Sequence, residues 1–202
     1  MQANHIIAGK ALKLMFIGAL VALIATALGM IPVISAVSGI VALVGGVISL
    51  IGLIQAGPAH KLYGRAILML ILSVVLSLVS GGLMVAAILA GSGAMMALAI
   101  VVLLGISIFG LLQIYFICSA TSTLLREAGN ETSAAKGDTV WKINAVCYIA
   151  TGVLSVVSLV APTTAGILGI ITGIVSIVGS VIYVIFLKEG TETLSASGAA
   201  QA

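Results

Sequence analysis

Residues 14–60 read LMFIGALVALIATALGMIPVISAVSGIVALVGGVISLIGLIQAGPAH, a run that contains no Asp, Glu, Lys or Arg. Residues 66–125 and 143–187 form two further runs of the same kind. A membrane-spanning helix needs about 20 apolar residues, so each run is long enough for two spans. Over the whole chain 62% of the residues are hydrophobic and 6% are charged, whereas an ordinary soluble domain carries about 25% charged residues. The sequence therefore predicts an integral membrane protein.

Each run is interrupted near its middle by Pro or Gly, which break helices. The interruptions are Met30-Ile31-Pro32, Gly91-Ser92-Gly93 and Ala161-Pro162-Thr163-Thr164. We therefore predict an all-α membrane protein whose six transmembrane helices form three tandem helical hairpins. The hairpins cover about residues 14–55, 66–119 and 143–187 of a single transmembrane domain, 1–188, and a short, disordered cytoplasmic tail follows over residues 189–202.

The charges predict the orientation of the chain. With two spans per run, all eight Lys and Arg residues fall on one side of the membrane, and no charge falls on the other. Cytoplasmic segments retain Lys and Arg, so both termini are predicted to be cytoplasmic, in an inner (plasma) membrane. The opposite face has neither charges nor an aromatic belt, and two explanations stay open. In the first, the short turns on this face lie among the lipid headgroups. In the second, a partner protein or a second copy of the chain covers them.

The second helix of each hairpin carries the same short pattern, in which a β-branched residue is followed by Ser, two apolar residues and Gly. The three copies are Ile48-Ser49-Leu50-Ile51-Gly52, Ile106-Ser107-Ile108-Phe109-Gly110 and Val175-Ser176-Ile177-Val178-Gly179. Repeats inserted the same way up are related by an axis along the membrane normal. The pattern therefore predicts a pseudo-threefold bundle.

Small residues on one helix face allow helix backbones to approach closely within a bilayer. The predicted helix-packing residues are Gly39, Gly46, Ser49, Gly52, Ser107, Gly110, Gly169, Gly173, Ser176 and Gly179. The same serines have an alternative role. Ser49, Ser107 and Ser176, with Gln55 and Gln113 at matched repeat positions, are candidates for the polar lining of a solute route. Serines that face a common cavity favour transport, whereas serines buried against a neighbouring backbone favour packing.

Several kinds of chemistry lack the residues they need. No Asp, Glu, Lys, Arg or His lies inside any predicted span, although proton relays and ion-coupled transporters place such groups there. His5 and His60 fall in cytoplasmic segments, and the chain has no set of metal ligands at a suitable spacing. Cys118 and Cys147 lie toward the cytoplasmic side, where thiols stay reduced. We predict no enzyme activity, no cofactor or metal site and no nucleic-acid partner, since the cations form no dense cluster.

In length and number of spans, the chain resembles the substrate-binding subunits of energy-coupling-factor vitamin importers. That resemblance implies a small-residue helix face that docks on a membrane coupling subunit, and Gly18, Ala22 and Ala25 would form this face. The predicted outer turns are too short to supply an obvious substrate gate, so the chain departs from the family in this respect.

Two functional hypotheses follow. In the first, the chain is a non-enzymatic subunit, scaffold or lipid-contacting partner of a membrane assembly, in contact with the bilayer and with another membrane protein or a second copy of itself. In the second, it is a passive facilitator or an importer substrate-binding subunit for an uncharged small solute. The sequence identifies neither the partner nor the solute.

Overall fold

The computed structural model describes residues 2–31, 35–160, 163 and 165–199. They form six α-helices: α1 (Gln2–Gly29), α2 (Ser35–Ala56), α3 (Lys61–Ala90), α4 (Gly93–Glu127), α5 (Glu131–Val160) and α6 (Ala165–Ala199). Each helix is long and apolar enough to cross a membrane, which confirms the prediction of an all-helical protein with six spanning helices. Pro32, Ala161, Pro162 and Thr164, from two of the predicted turns, lie outside the described residues.

Local sequence determines where the helices end. After α3, Gly91 adopts a left-handed conformation with φ of 60°, and its N–H donates to the carbonyl oxygen of Ala87. The Ser92 hydroxyl then accepts a hydrogen bond from the Met95 amide and caps the start of α4. Between α4 and α5, Gly129 has φ of 82°. These two positions need glycine because other residues are strained at positive φ.

The helices follow one another around the bundle in the order α2, α1, α6, α5, α4, α3, and each packs closely against the next. In addition, α4 touches α6. The first and last helices of this order, α2 and α3, are joined by a short loop. Among pairs of helices that are consecutive in the sequence, however, they make the smallest contact. Near that loop, a Cβ at Gly57 would lie 3.8 Å from the Ile67 side chain. The bundle is thus tightly joined everywhere except along the line between α2 and α3.

All charged residues of the chain lie in residues 2–13, 57–65, 126–142 and 188–199, and the structure brings these segments together at what we call the charged end. Lys136 Nζ lies 2.8 Å from Glu189 Oε1 and joins α5 to α6. Asn130 donates from Nδ2 to the Thr193 hydroxyl at 3.3 Å. The opposite end, near Gly29, Ala90 and Ala165, is the uncharged end.

The main buried cluster lies toward the charged end and includes Leu12, Leu53, Tyr63, Leu124, Phe186 and Leu194. Toward the uncharged end the helices expose large aliphatic side chains, such as Leu78 and Leu89, as helices facing lipid do. At 1.5 Å per residue, the 35 residues of α4 and of α6 extend about 50 Å, beyond a hydrocarbon layer of about 30 Å. Their surplus length supplies the charged end.

The helices therefore extend further at the charged end than the sequence predicted. The predicted disordered tail began at Glu189, whereas α6 continues to Ala199. Leu194 in this extension is fully buried, and the Ser195 hydroxyl lies 3.0 Å from the position that a Cβ at Gly9 would take. The composition of the tail is typical of disorder, but contact with the start of α1 orders it.

Candidate functional site

A cavity of about 490 Å³ lies inside the bundle, and residues of all six helices line it. Two helices supply its longest walls: Asn144, Cys147, Tyr148 and Thr151 come from α5, and Ser176, Gly179, Ser180, Tyr183 and Val184 come from α6. Both sets follow the spacing of residues on a single helix face. Ligand sites have volumes of about 300–1,000 Å³, so the cavity is large enough for a small molecule.

The walls differ in polarity. Helix α1 contributes only Met15, Ala19 and Ala22, and α3 contributes only Leu70. Polar side chains come mainly from α5 and α6, with Gln113 from α4 and Ser49 from α2. Among the described residues that line the cavity, none is Asp, Glu, Lys, Arg or His. The cavity therefore has an apolar side and a polar side, and neither side is charged.

Many hydroxyl groups in the spans, outside the cavity, bond back to their own helix. Ser73 donates to the Leu70 carbonyl at 2.8 Å, and Ser107 donates to the Leu103 carbonyl at 3.2 Å. Thr26, Ser77, Thr123, Ser155, Ser158 and Thr191 make the same kind of bond. Within the described part of the chain, the cavity hydroxyls of Ser49, Thr151, Ser176 and Ser180 make no hydrogen bond. They are available to a group inside the cavity.

Asn144 is the most deeply buried polar side chain of the cavity, with 3% of its surface exposed. Its Nδ2 donates to the Val140 carbonyl at 3.0 Å. Its Oδ1 has no partner among the described residues and lies 3.1 Å from the position that a Cβ at Gly179 would take. A primary amide offers two donors and an acceptor oxygen with two lone pairs, so Asn144 keeps capacity for further hydrogen bonds on the cavity side.

The structure separates the candidate polar residues. Ser49 and Ser176 line the cavity, whereas Ser107 does not, because its Oγ faces α5 and lies 3.4 Å from where a Cβ at Gly152 would be. Gln113 lines the cavity, whereas Gln55 is exposed at the surface. The repeat therefore places its members at different sites: two of the three serines and one of the two glutamines reach the common cavity.

The glycines predicted to pack fall into two groups. A Cβ at Gly52 would lie 2.7 Å from the Met15 backbone nitrogen, and one at Gly110 would lie 2.8 Å from the Tyr148 ring. Gly179 and Gly173 are also close to neighbouring helices, at 3.1 and 3.3 Å. By contrast, a Cβ at any of the remaining predicted positions would have no atom within 4 Å in the part of the chain that the structure describes, and these positions are Gly39, Gly46 and Gly169. Gly46 instead lines the cavity.

The sequence analysis missed the α5 wall. Asn144, Cys147, Tyr148 and Thr151 are spaced by three, one and three residues, which places them on one face of a helix. That spacing was a usable signal, because four polar or thiol side chains on one face of a span are unusual in an apolar segment. The repeated Ser-containing pattern, by contrast, lies on the even-numbered helices.

A second space, a groove of about 470 Å³, lies between α1 and α6 at the uncharged end. Its walls include Thr26 of α1 and Met30 just after that helix, and Gly169, Thr172 and Ser176 from α6. Ser176 borders both the groove and the central cavity. The groove therefore adjoins the central cavity at Ser176.

The described residues contain no group of three or more His, Cys, Asp or Glu side chains that could hold a metal ion. Comparison of the chain with protein-family models, with curated proteins and with solved structures finds no match in any of the three.

Proposed function

We propose that this protein is a non-enzymatic multi-pass membrane protein that binds an uncharged small molecule in its central cavity. The observation that carries the proposal is the unused hydrogen-bonding capacity around an uncharged cavity, which belongs to the Asn144 Oδ1 foremost and to the cavity hydroxyls that have no partner among the described residues. Buried polar groups normally have partners. A bound molecule with hydroxyl, carbonyl or amide groups would supply them.

The absence of charge from the described lining residues supports the choice of ligand. An ionised group inside an apolar bundle would lose its hydration without gaining a counter-ion, which is very costly. An uncharged molecule avoids this cost and can still accept or donate hydrogen bonds. The proposed role is binding, either as a facilitator or as the substrate-binding subunit of an importer.

We further propose three hairpins, α1–α2, α3–α4 and α5–α6, with both termini on the cytoplasmic side of an inner (plasma) membrane. The collection of all eight Lys and Arg residues at the charged end supports this orientation. A pseudo-threefold plan is supported by two matching contacts, α4 against α5 and α6 against α1. The third such contact, α2 against α3, is loose.

Site-specific labelling tests the orientation. In a variant with both native cysteines replaced, Ser92→Cys should react with an impermeant thiol reagent added outside intact cells. Ser197→Cys should react only after the membrane is permeabilised. The reverse pattern would overturn the proposed orientation.

Native mass spectrometry of protein purified in lipid nanodiscs tests the ligand. We expect one small molecule per chain, and about tenfold lower occupancy in Asn144→Leu and in Gln113→Met, because losing one good hydrogen bond changes affinity by about that factor. Gln55→Met is the matched control, since Gln55 occupies the corresponding repeat position but lies outside the cavity. Equal occupancy in all variants, or an empty cavity, would contradict the proposal.

A second candidate function, a subunit or scaffold of a membrane assembly, is favoured by one specific observation. Gly39, Gly166 and Gly169 are exposed, and a Cβ at each would meet no atom of the described residues within 4 Å. Such small-residue surfaces suit the close approach of another helix, from a partner protein or a second copy. The same mass spectrometry distinguishes the two functions, because a retained protein partner with an empty cavity would support the assembly.

A further inference from the structure

The central cavity borders the loosest contact between consecutive helices of the bundle, the contact between α2 and α3. Gly46 lines the cavity and is also exposed, and a Cβ there would meet no atom within 4 Å. The only α3 residue at the cavity is Leu70, and α2 and α3 pack least of all consecutive helices. We call the line between Gly46 and Leu70 the α2–α3 seam.

The seam lies at the depth of the lipid chains. Gly46 is near the middle of the 22 residues of α2, a helix of about 33 Å that matches a hydrocarbon layer of about 30 Å. One turn from Gly46, Leu43 is 71% exposed, and one turn from Leu70, Val74 is 51% exposed. Aliphatic side chains with this exposure face acyl chains. An opening at this depth therefore leads into the bilayer rather than into water.

We propose that the ligand enters the cavity laterally from the bilayer, through the α2–α3 seam, and that it is an uncharged, lipid-soluble molecule with an apolar body and one hydrogen-bonding head. This inference rests on the proposed function, because it uses the same cavity.

The arrangement of the walls supports this class of ligand. Most side chains with unused hydrogen-bonding capacity lie on α5 and α6, the two helices furthest from α2 and α3 in the helix order, and these are Asn144, Thr151, Ser176 and Ser180. Ser49 of α2 is the exception. The α1 and α3 contributions are Met15, Ala19, Ala22 and Leu70. A molecule that enters head first reaches the polar wall with its head, while its apolar body stays against the apolar wall and the seam.

Cys147 gives a direct readout of access, because it lines the cavity, whereas Cys118 is fully buried and is replaced by Ala to leave one thiol. The Cys118→Ala protein in nanodiscs is treated with two reagents, an uncharged maleimide that partitions into the bilayer and a sulfonated maleimide that stays in water. We expect the bilayer reagent to label Cys147 at least about tenfold faster, which corresponds to a barrier lower by about 1.4 kcal/mol.

Gly46→Trp should obstruct the seam and slow labelling by the bilayer reagent about tenfold or more. Gly39→Trp is the matched control, because Gly39 lies two turns away on the same face of α2, is equally open and does not line the cavity. It should leave the rate within about twofold. Gly46→Leu, a smaller obstruction, provides the test if Gly46→Trp fails to fold.

The outcomes separate the two proposals. Faster labelling by the sulfonated reagent would overturn lateral access and indicate a water-filled route, such as the groove at Ser176, while leaving the cavity as a binding site. Unchanged labelling in both Gly46 variants would also overturn lateral access. If neither reagent labels Cys147, lateral access is overturned, and an empty cavity in native mass spectrometry would then overturn the proposed function as well.

Discussion

Gly18 of α1 and Ser49 of α2 are in backbone contact: a Cβ at Gly18 would lie 2.5 Å from the Ser49 nitrogen and 2.5 Å from the Gly45 carbonyl oxygen. The approach is reciprocal, because a Cβ at Gly45 would lie 2.7 Å from the Gly18 carbonyl oxygen. Close backbone approach is a main source of helix association in a bilayer, where apolar burial provides little drive. Helix α2 packs only loosely against α3, so this crossing with α1 is its main attachment to the rest of the bundle.

The first prediction is that Gly18→Ala separates α1 and α2 and lowers the free energy of unfolding by about 1–3 kcal/mol, the usual cost of overpacking. The cost arises because backbone atoms cannot move aside as the end of a side chain can. The measurement is the loss of folded monomer with temperature in detergent, followed by gel filtration. Gly39→Ala, where a Cβ has open space, is the control and should be at least as stable as the wild type. Equal melting of the two variants would refute the prediction.

Much of the fold could be predicted because charge is so unevenly distributed. Each of the uncharged runs 14–60, 66–125 and 143–187 is long enough for two spans, and the break at Gly91 to Gly93 is where α3 ends and α4 begins. The polar ends of the helices were harder to predict. Leu12 and Leu194 are fully buried in segments of mixed composition, and only contacts between distant parts of the chain order those segments.

The site was predicted only in part, because a repeated motif fixes helix position but not helix rotation. Ser176 and Ser107 occupy the same place in the repeat, yet the α4 face that carries Ser107 packs against α5 at Gly152. The α6 face that carries Ser176 points into the cavity. Rotation depends on which helices are neighbours, and the order of the helices around the bundle is not encoded in any local pattern.

The second prediction concerns the buried hydrogen bond between the hydroxyls of Tyr63 and Thr121, whose oxygens are 2.9 Å apart. Tyr63→Phe should lower the free energy of unfolding by about 1–3 kcal/mol, because it leaves the buried Thr121 hydroxyl without its partner. Thr121→Val should have a similar effect. The double variant should cost less than the sum of the two, and a double-mutant cycle measures that difference. Strict additivity would mean that the bond contributes nothing to stability.

The third prediction tests the helical extension of α6. Leu194→Ala should lower the free energy of unfolding by about 2–5 kcal/mol, the usual cost of truncating a fully buried Leu. Ala196→Ser, at an exposed position of the same extension, should change it by less than about 0.5 kcal/mol. Thermal unfolding of both variants provides the comparison. If residues 189–199 were disordered, both substitutions would be neutral.

The fourth prediction concerns Ser122 of α4 and Gly137 of α5, which face each other at the charged end. Ser122 Oγ is buried without a hydrogen-bond partner among the described residues, and a Cβ at Gly137 would collide with it and lie 3.1 Å from Phe186 Cζ. Ser122→Ala removes the unpaired hydroxyl, so it should leave stability unchanged or raise it by about 1 kcal/mol. Gly137→Ala alone should be destabilising, by about 1–3 kcal/mol.

Combining the two substitutions should recover part of the Gly137→Ala cost, because the hydroxyl that obstructs the new methyl group is gone. We expect a coupling of about 0.5–3 kcal/mol in the double-mutant cycle, within the range for residues in contact. Chemical unfolding of the four proteins in detergent measures it. Zero coupling would mean that the cost of a side chain at Gly137 comes from Phe186 alone, and that α4 and α5 are further apart at this point than the structure has them.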